Sequence, residues 1–353
     1  MVTRVLSATI AACCASGASA ELWEQWKAEH GKAYSSQDVE ASRRGVFLQN
    51  LEHFAERSRF DTAAYGPDMW SDLTLAEFKA QQAGCFTEEG MEAIPTAALP
   101  LLPLDADGKP PSVDWRDPTK NSEKVNAVTP PKNQGAYGYC WAFGAAGSLE
   151  GMNVVQQKNP LQSLSEQELV DCCHACWGHG PNMAWNFFIN NTHGYDSTEA
   201  SYPYNLHSRH GDNNETCAIS SGKTVNGTTL VKGTAHIGSY VSASADKTTN
   251  NTDNILAALV KYGPGNIGVD ATCLFGYKGG VISNCTGKSV DHATLVVGAG
   301  YDASVAANPP NPAGAMPYWI VVSRPHSSIY TTRLGHCTHA GLTLYCPETD
   351  VVL

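Results

Sequence analysis

The sequence predicts an α+β protein, and three stretches of the chain carry that prediction. Apolar residues between Leu22 and Phe54 recur at helical spacing. A run of small and apolar residues over 141–150 predicts a helix that begins at Cys140. Farther along, His292 stands at the head of a β-branched run, which is typical of a buried strand.

Length and composition describe a globular chain. Its 353 residues leave room for two or three domains, and 42% hydrophobic with 16% charged residues is enough for a sizeable core. A net charge of −11 argues against a nucleic-acid partner. After the N-terminus no apolar run is long enough to span a bilayer. Twelve cysteines favour an oxidising compartment.

The first twenty residues have the pattern of a secretory signal peptide. Arg4 closes a short basic segment, 5–14 is apolar, and Ala18-Ser-Ala20 provides small residues for cleavage. We therefore expect residues 1–20 to be removed, and we expect the protein to be secreted or delivered to a lysosomal or vacuolar lumen.

The residues around Cys140 favour a nucleophile. A thiol at a helix N-terminus lies at the positive end of the helix dipole, which favours the thiolate. Gln134 lies shortly before it, and glycines at 135 and 138 permit the tight path that brings the amide beside the sulfur. That amide and the Cys140 N–H would form an oxyanion hole. His292 could hold the proton and return it to a leaving amine.

Together these segments resemble the papain family of cysteine peptidases, whose patterns are Gln-Gly-x-Cys-Gly-x-Cys-Trp and, later, x-Asp-His-Ala/Gly before a strand. The resemblance implies a papain-like fold of two subdomains, one helical and carrying Cys140, one β-barrel-like and carrying His292. It also implies an endopeptidase that binds peptide between the subdomains and forms an acyl-enzyme. Gln134 would stabilise the oxyanion, and His292 would protonate the leaving amine.

The N-terminal helices resemble the inhibitory propeptide of the same family. The ERFNIN signature is matched at Glu40, Arg44, Phe47 and Asn50, with Phe54 where Ile is usual and Ser58 where the last Asn is usual. Residues 69–78 resemble the segment that follows it. We therefore expect an inhibitory propeptide domain over 21–80, a linker or activation segment over 81–110 and the peptidase domain over 111–353. The resemblance places maturation within about residues 103–111.

The cysteine-rich segment after Leu164 allows two interpretations. A zinc site from Cys173, His174, Cys176 and His179 is conceivable, but no second ligand cluster accompanies it. Disulfides fit the compartment better, and the segment looks like the cathepsin B branch. By resemblance Cys217 bridges to Cys172 or Cys173. Cys176 needs a different partner from the usual one, because Tyr137 stands at the position of that half-cystine, and Cys173 is a candidate. Cys285 and Cys337 are further candidates for disulfides. Eight cysteines remain when the two in the signal peptide, Cys85 and Cys140 are set aside. Because eight can pair completely, this even number favours Cys140 as a free thiol.

Several residues follow from the alignment with the family. Gly178 and His179 occupy the glycine pair that binds extended substrate, Gly268 leaves the specificity pocket roomy, and Asp291 and Ala293 flank the histidine. Ser165, with Glu168 three residues later, predicts a capped helix.

Three family positions are changed. Tyr137 replaces a half-cystine, and Ser323 and Pro325 replace the Asn and Trp that orient and shield the imidazole. Ser323, Pro325, His179 and the divergent sequence after Val322 motivate an alternative function, a papain-fold binding protein with weak or no peptidase activity. A redox protein that uses Cys173 and Cys176 lacks a thioredoxin-like context.

The expected partners are polypeptide substrates, the chain's own propeptide as inhibitor and cystatin-like inhibitors. No cofactor, metal, nucleic acid or membrane is expected, and the protein is expected to be a monomer. The glycosylation candidates, which support secretion, are Asn190, Asn214, Asn226, Asn250 and Asn284.

Overall fold

A computed structural model of the chain describes most of it. The described residues are 18–82, 95, 99–106, 108–135, 137–176, 180–205, 217–219, 224–225, 227–243, 252–284, 290–302, 316–323, 330–335 and 344–348. The predicted signal peptide lies outside them except for its last three residues, which begin the first helix.

The N-terminal unit is a helical bundle. Its helices are α1 (Ala18–His30), α2 (Gln37–Phe60) and α3 (Leu75–Gln82), with the short strand β1 (Ala64–Tyr65) between the last two. Ser36 caps α2, because its side chain accepts a hydrogen bond from the N–H of Val39.

Aromatic packing and one buried amide hold this bundle together. Trp23 and Trp26 of α1 stack on each other and pack against Phe47 of α2, with ring centroids 4.9–5.2 Å apart. The Asn50 amide donates to the carbonyls of Ser71 and Leu73 at 2.9 and 2.8 Å. Of the two signature residues, Phe47 is thus part of the bundle core. Asn50 holds the segment after α2 by hydrogen bonds to its backbone.

The helical subdomain is built on α4 (Cys140–Val155), all of whose residues are buried. Around it lie α5 (Glu166–Cys172), a 3₁₀ turn (His174–Cys176) and α6 (Pro181–Asn191). The expected cap of α5 is present, since the Ser165 side chain accepts from the N–H of Glu168 at 3.0 Å. The short strands here are β3 (Tyr195–Ser197), β4 (Thr224–Val225), β5 (Thr228–Thr229) and β6 (Lys232–His236).

The second subdomain is an eight-stranded sheet with the order β10-β13-β12-β11-β8-β14-β7, and β2 also pairs with β11. The strands are β2 (Val113–Asp114), β7 (Ser239–Ser242), β8 (Gly265–Val269), β10 (Val281–Ile282), β11 (His292–Asp302), β12 (Met316–Ser323), β13 (Tyr330–Gly335) and β14 (Leu344–Glu348). Helix α7 (Thr252–Tyr262) and a 3₁₀ turn (Ala271–Leu274) flank β8, and β9 (Tyr277–Gly279) pairs with β1.

The C-terminal segment joins this sheet although its sequence has no family landmark except cysteines. Strand β13 pairs antiparallel with β12, and β14 lies between β7 and β8. Hydrogen bonding between backbones depends weakly on side-chain identity, so a divergent sequence can still occupy these positions. Among the described residues, no helix is long and apolar enough to cross a membrane.

Candidate active site

Cys140 is the first residue of α4 and is fully buried. The helix packs closely on β8 because it carries glycines on that side. A Cβ on Gly144 would lie 1.9 Å from the Asn266 amide nitrogen, and one on Gly151 would lie 2.7 Å from Pro264. The small residues that follow Cys140 therefore fix how near its sulfur comes to the sheet.

Strand β11 brings the predicted base to the sulfur. The N–H of Ala293 donates to Cys140 Sγ at 3.1 Å, and His292 is the residue before it. His292 is 1% exposed and is held in the sheet opposite Val269 of β8. The two residues singled out from distant parts of the sequence are thus brought together at the junction of the two subdomains.

The sulfur of Cys140 is disulfide-bonded in this structure. The expectation of a free thiol is therefore wrong for this form of the protein. The cysteine count could not detect this, because an even remainder shows that a set can pair and does not show which sulfur stays apart. A disulfide sulfur is no nucleophile, so reduction must precede any chemistry at this position.

Gln134 lies in the turn that leads into α4. It is 1% exposed, and its side-chain amide donates to the Tyr137 carbonyl at 2.7 Å, which uses one of two amide protons. Tyr204 fixes the backbone here by donating to the Gln134 carbonyl at 2.7 Å. Gly135 has φ +75°, a value that favours glycine.

The residues expected to bind substrate fall into two groups. Gly268 and Ala293 are paired neighbours on β8 and β11, and Asp291 accepts from the N–H of Ala271 at 2.9 Å. Gly178 and His179 lie outside the described residues, as does Pro325. Ser323 ends β12, where its backbone is opposite Tyr330; its side chain is outside the described part of the molecule.

The cysteine-rich segment contains disulfides. Cys172 is bonded to Cys217, and Cys173 is bonded to Cys176. Two ligands of the conceivable zinc site are thereby used, and no group of three or more potential ligands occurs in the described ranges. Cys273 is also disulfide-bonded. Cys285 and Cys337 are outside these ranges.

Two of the glycosylation candidates are described. Asn190, near the end of α6, and Asn284, after β10, are both exposed. Asn214, Asn226 and Asn250 lie outside the described residues.

The helical bundle docks on the 3₁₀ turn that follows β8. The Arg57 guanidinium donates to the carbonyls of Thr272, Cys273 and Phe275 at 3.1–3.2 Å. It also donates to Tyr65 Oη at 2.9 Å and lies 3.8 Å from the centre of that ring. Arg57 is not part of the family signature, and no local pattern marks it, because the three carbonyls that it binds lie more than two hundred residues away.

Aromatic residues complete the same contact. Phe275 meets Phe54 of α2 edge to face at 5.0 Å and Phe78 of α3 at 4.6 Å, and both Phe54 and Phe275 are fully buried. Gly276 follows with φ +72°, and a Cβ there would lie 2.2 Å from the Phe54 ring. Phe54, which stands where the ERFNIN signature has isoleucine, therefore fills the space that a Cβ on Gly276 would occupy.

Two carboxylates link the bundle to the second subdomain. Asp68 accepts from the N–H of Gly276 at 3.0 Å and from its own loop at Trp70 and Ser71. Burial raises its pKa, although these three donors act in the opposite direction. Lys79 of α3 forms an ion pair with Asp291 at 3.1 Å, so a cation from the bundle lies beside the residue that precedes His292.

Comparisons with known proteins agree with this architecture. Residues 109–325 match the family model described as papain family cysteine protease, and residues 23–78 match the cathepsin propeptide inhibitor domain. Cysteine proteinase 2 of Leishmania pifanoi is 35% identical over 90% of this chain, and the chain spans 66% of that relative's length. Cysteine proteinase 1 of Zea mays is 33% identical over 82% of this chain, and the match covers 74% of that relative's length. A recombinant stem bromelain precursor superposes with a TM-score of 0.68 at 26% identity, over 94% of this chain and 99% of its own.

Proposed function

Since the chain belongs to the papain family of cysteine proteases, we propose that it is a cysteine endopeptidase made as a zymogen. We propose the domain bounds given by the sequence, with a signal peptide over 1–20, an inhibitory propeptide over 21–80, an activation segment over 81–110 and a peptidase domain over 111–353.

One observation carries this proposal. The N–H of Ala293 contacts Cys140 Sγ at 3.1 Å, which brings the residue beside His292 to the sulfur at the N-terminus of a buried helix. A purely structural cysteine needs neither a histidine at that point nor an amide such as Gln134 nearby. Together, nucleophile, base and oxyanion donor support acyl transfer.

The proposed chemistry begins when an external dithiol reduces the Cys140 disulfide and is itself oxidised to a disulfide, which leaves Cys140 as a thiol. His292 then takes the thiol proton. The thiolate attacks the scissile carbonyl, and the oxyanion is stabilised by the Gln134 amide and the Cys140 N–H. His292 then protonates the leaving amine, which departs and leaves a thioester. Water, deprotonated by His292, hydrolyses the thioester and restores the thiol.

The substrate is proposed to be a polypeptide in extended form. Gly268 and Ala293 present backbone and little side-chain bulk beside the sulfur, which leaves room for a substrate side chain. Asp291, Gly178 and His179 are proposed to line the same cleft.

The helical bundle is proposed to keep the enzyme latent, with the chain's own propeptide as its inhibitor. Its contacts through Arg57 and Phe54 are with the turn after β8, and its Lys79 pairs with Asp291, the residue before the catalytic histidine. Inhibition by cystatin-like proteins and a monomeric state remain predictions. Disulfides and the exposed sequons at Asn190 and Asn284 support a secreted or lysosomal or vacuolar location.

The test is alkylation of acid-processed protein with an electrophilic peptidyl probe, with and without a thiol reductant, across about pH 4–8. We expect labelling at Cys140 after reduction, well below the roughly 8.5 pKa of a free cysteine, and loss of this labelling in His292→Ala. Cys140→Ala is the control for site selectivity.

A different result would favour the second function. If Cys140 is labelled only as the pH approaches the pKa of an ordinary thiol, then Cys140 and His292 do not form a working pair. The protein would then be a papain-fold binding protein, as the changes at Ser323 and Pro325 suggest.

A further inference from the structure

The helical subdomain contains a cavity of about 640 Å³ whose lining includes neither Cys140 nor His292. Its walls come from α5, α6, β3 and β6, and the Cys172–Cys217 disulfide borders it. The volume falls within the roughly 300–1,000 Å³ of small-molecule sites.

One buried carboxyl in the lining has no hydrogen-bond partner in the described part of the chain. Asp196 of β3 is 1% exposed, and neither of its carboxyl oxygens has a hydrogen-bond partner among the described residues. Buried polar groups in folded proteins are nearly always paired. By contrast, the neighbouring Glu168 accepts from the N–H of Ser197 at 3.0 Å.

The charges around Asp196 do not balance it. The carboxylates of Glu168, Glu166 and Glu150 act on it, and Lys132 is the cation that opposes them. Lys132 is already shared, at 2.6 Å from Glu166 and 3.3 Å from Glu150. Burial, and then these carboxylates, raise the pKa of Asp196 well above its ordinary value. The site is therefore short of positive charge.

The remaining walls suit an organic group. Phe187, Ile219 and Leu230 are apolar and half-buried, and Tyr195 adds an aromatic face. A cation occurs at the rim, where Lys232 is exposed and its ammonium lies over the Tyr195 ring. Because this rim charge is in solvent, it is screened far more than a pair at the buried carboxyl.

We propose that this cavity binds a small organic amine, whose ammonium group pairs with Asp196 and whose apolar body packs against Phe187 and Leu230. A metal ion is the less suitable cation, because no group of three or more ligating side chains occurs in the described part of the chain. The site is separate from the peptidase chemistry, and its occupancy does not require Cys140 to be reduced.

Pairing of the ammonium with the Asp196 carboxylate makes amine binding depend on pH. An ammonium ion requires Asp196 as carboxylate, so binding weakens as the pH falls below the pKa of the empty site. Below that pKa, each amine bound releases one proton from Asp196 to the solvent. The groups that also face this carboxyl are Glu168, Glu166, Glu150 and Lys132.

The test uses benzylamine, which is protonated at neutral pH, and benzyl alcohol as a neutral ligand of the same shape. Isothermal titration of the full-length, unreduced zymogen in two buffers of different ionisation heat gives affinity and proton release. We expect benzylamine to bind at least about tenfold more tightly than benzyl alcohol, and Asp196→Asn to remove that preference. Asp38→Asn, at an exposed position of α2, is the matched control and should retain it.

If Asp196→Asn does not fold, Leu230→Trp serves instead, because it fills the cavity from a wall and leaves the carboxyl intact. We expect it to abolish benzylamine binding. The proposal is overturned if amine and alcohol bind equally, if neither binds, or if Asp196→Asn or Leu230→Trp binds benzylamine as the unsubstituted protein does. Peptidase activity is not a readout here, so failure of this proposal leaves the proposed peptidase untouched.

Discussion

Replacement of Arg57 by methionine should loosen the latent form. The side chain of Met keeps an apolar stem but removes the guanidinium that donates to the carbonyls of Thr272, Cys273 and Phe275. A hydrogen bond to a charged group contributes about 1.5–3 kcal/mol net. Arg57 is half-buried, and the freed carbonyls can bind water once the bundle lifts. We therefore assign the three bonds together about 2–4 kcal/mol of docking free energy.

That loss corresponds to an undocked fraction about 30- to 700-fold larger, since 1.4 kcal/mol is a factor of ten. The assay is the labelling rate of Cys140 by a peptidyl alkylating probe in reduced, unprocessed zymogen at neutral pH. When opening is rapid compared with labelling, that rate is proportional to the undocked fraction.

Arg59→Met is the matched control, because Arg59 lies on the same helix and is exposed. It should change the rate by less than about twofold. Labelling of the mature enzyme should be the same for every variant. An Arg57→Met zymogen that is labelled at the rate of the unsubstituted one would refute the argument that these three bonds hold the bundle.

Three further predictions concern the docking and the internal stability of the helical bundle. Gly276→Ala should speed labelling, because its Cβ would lie 2.2 Å from Phe54; Gly108→Ala has the same φ of +72° with nothing within 4 Å and should not. Lys79→Met should speed labelling by no more than about fivefold and only at low salt, because a partly exposed ion pair contributes about 0–1 kcal/mol; an unchanged salt dependence would contradict this. Glu77 has its pKa lowered to about 2 by Arg43 and then by the Thr74 N–H. Its contribution to stability is complete above its ordinary pKa of about 4.5 and is lost as the pH falls through about 2. In thermal unfolding, the difference between the zymogen and Glu77→Gln should therefore narrow over that range, and parallel curves would count against the pair.

The helices and their caps could be predicted from the sequence, because these features depend on residues close together in the chain. The helical spacing of Trp23, Trp26 and Phe47 predicts a bundle, and these rings do pack together. The cap of α5 follows from Ser165 and Glu168, which are three residues apart. Helix propensity and capping act over a few residues, so one sequence is enough to predict them.

Long-range contacts were not predictable in the same way. Arg57 binds backbone carbonyls far away in the sequence, and any residue offers such carbonyls. Asp196 could not be singled out either, since the sequence does not say that a carboxyl lacks a partner. The disulfide state of Cys140 also depends on spatial proximity, which the cysteine count does not contain.

Removal of the bundle leaves strand β9 of the mature enzyme without the strand that it pairs with in the zymogen. There, Ala64–Tyr65 and Tyr277–Gly279 form a two-stranded sheet, so the propeptide contributes one of its two strands. After its departure, the exposed N–H and C=O groups become a template for any extended chain. Gly279 and Gly280, with φ of +159° and +86°, limit the strand to a few residues, and the exposed Lys278 adds a charge that discourages self-association. A short β-strand peptide that copies residues 64–65 and the adjoining Arg57 contact would therefore recognise the mature enzyme at the surface where the bundle docks in the zymogen.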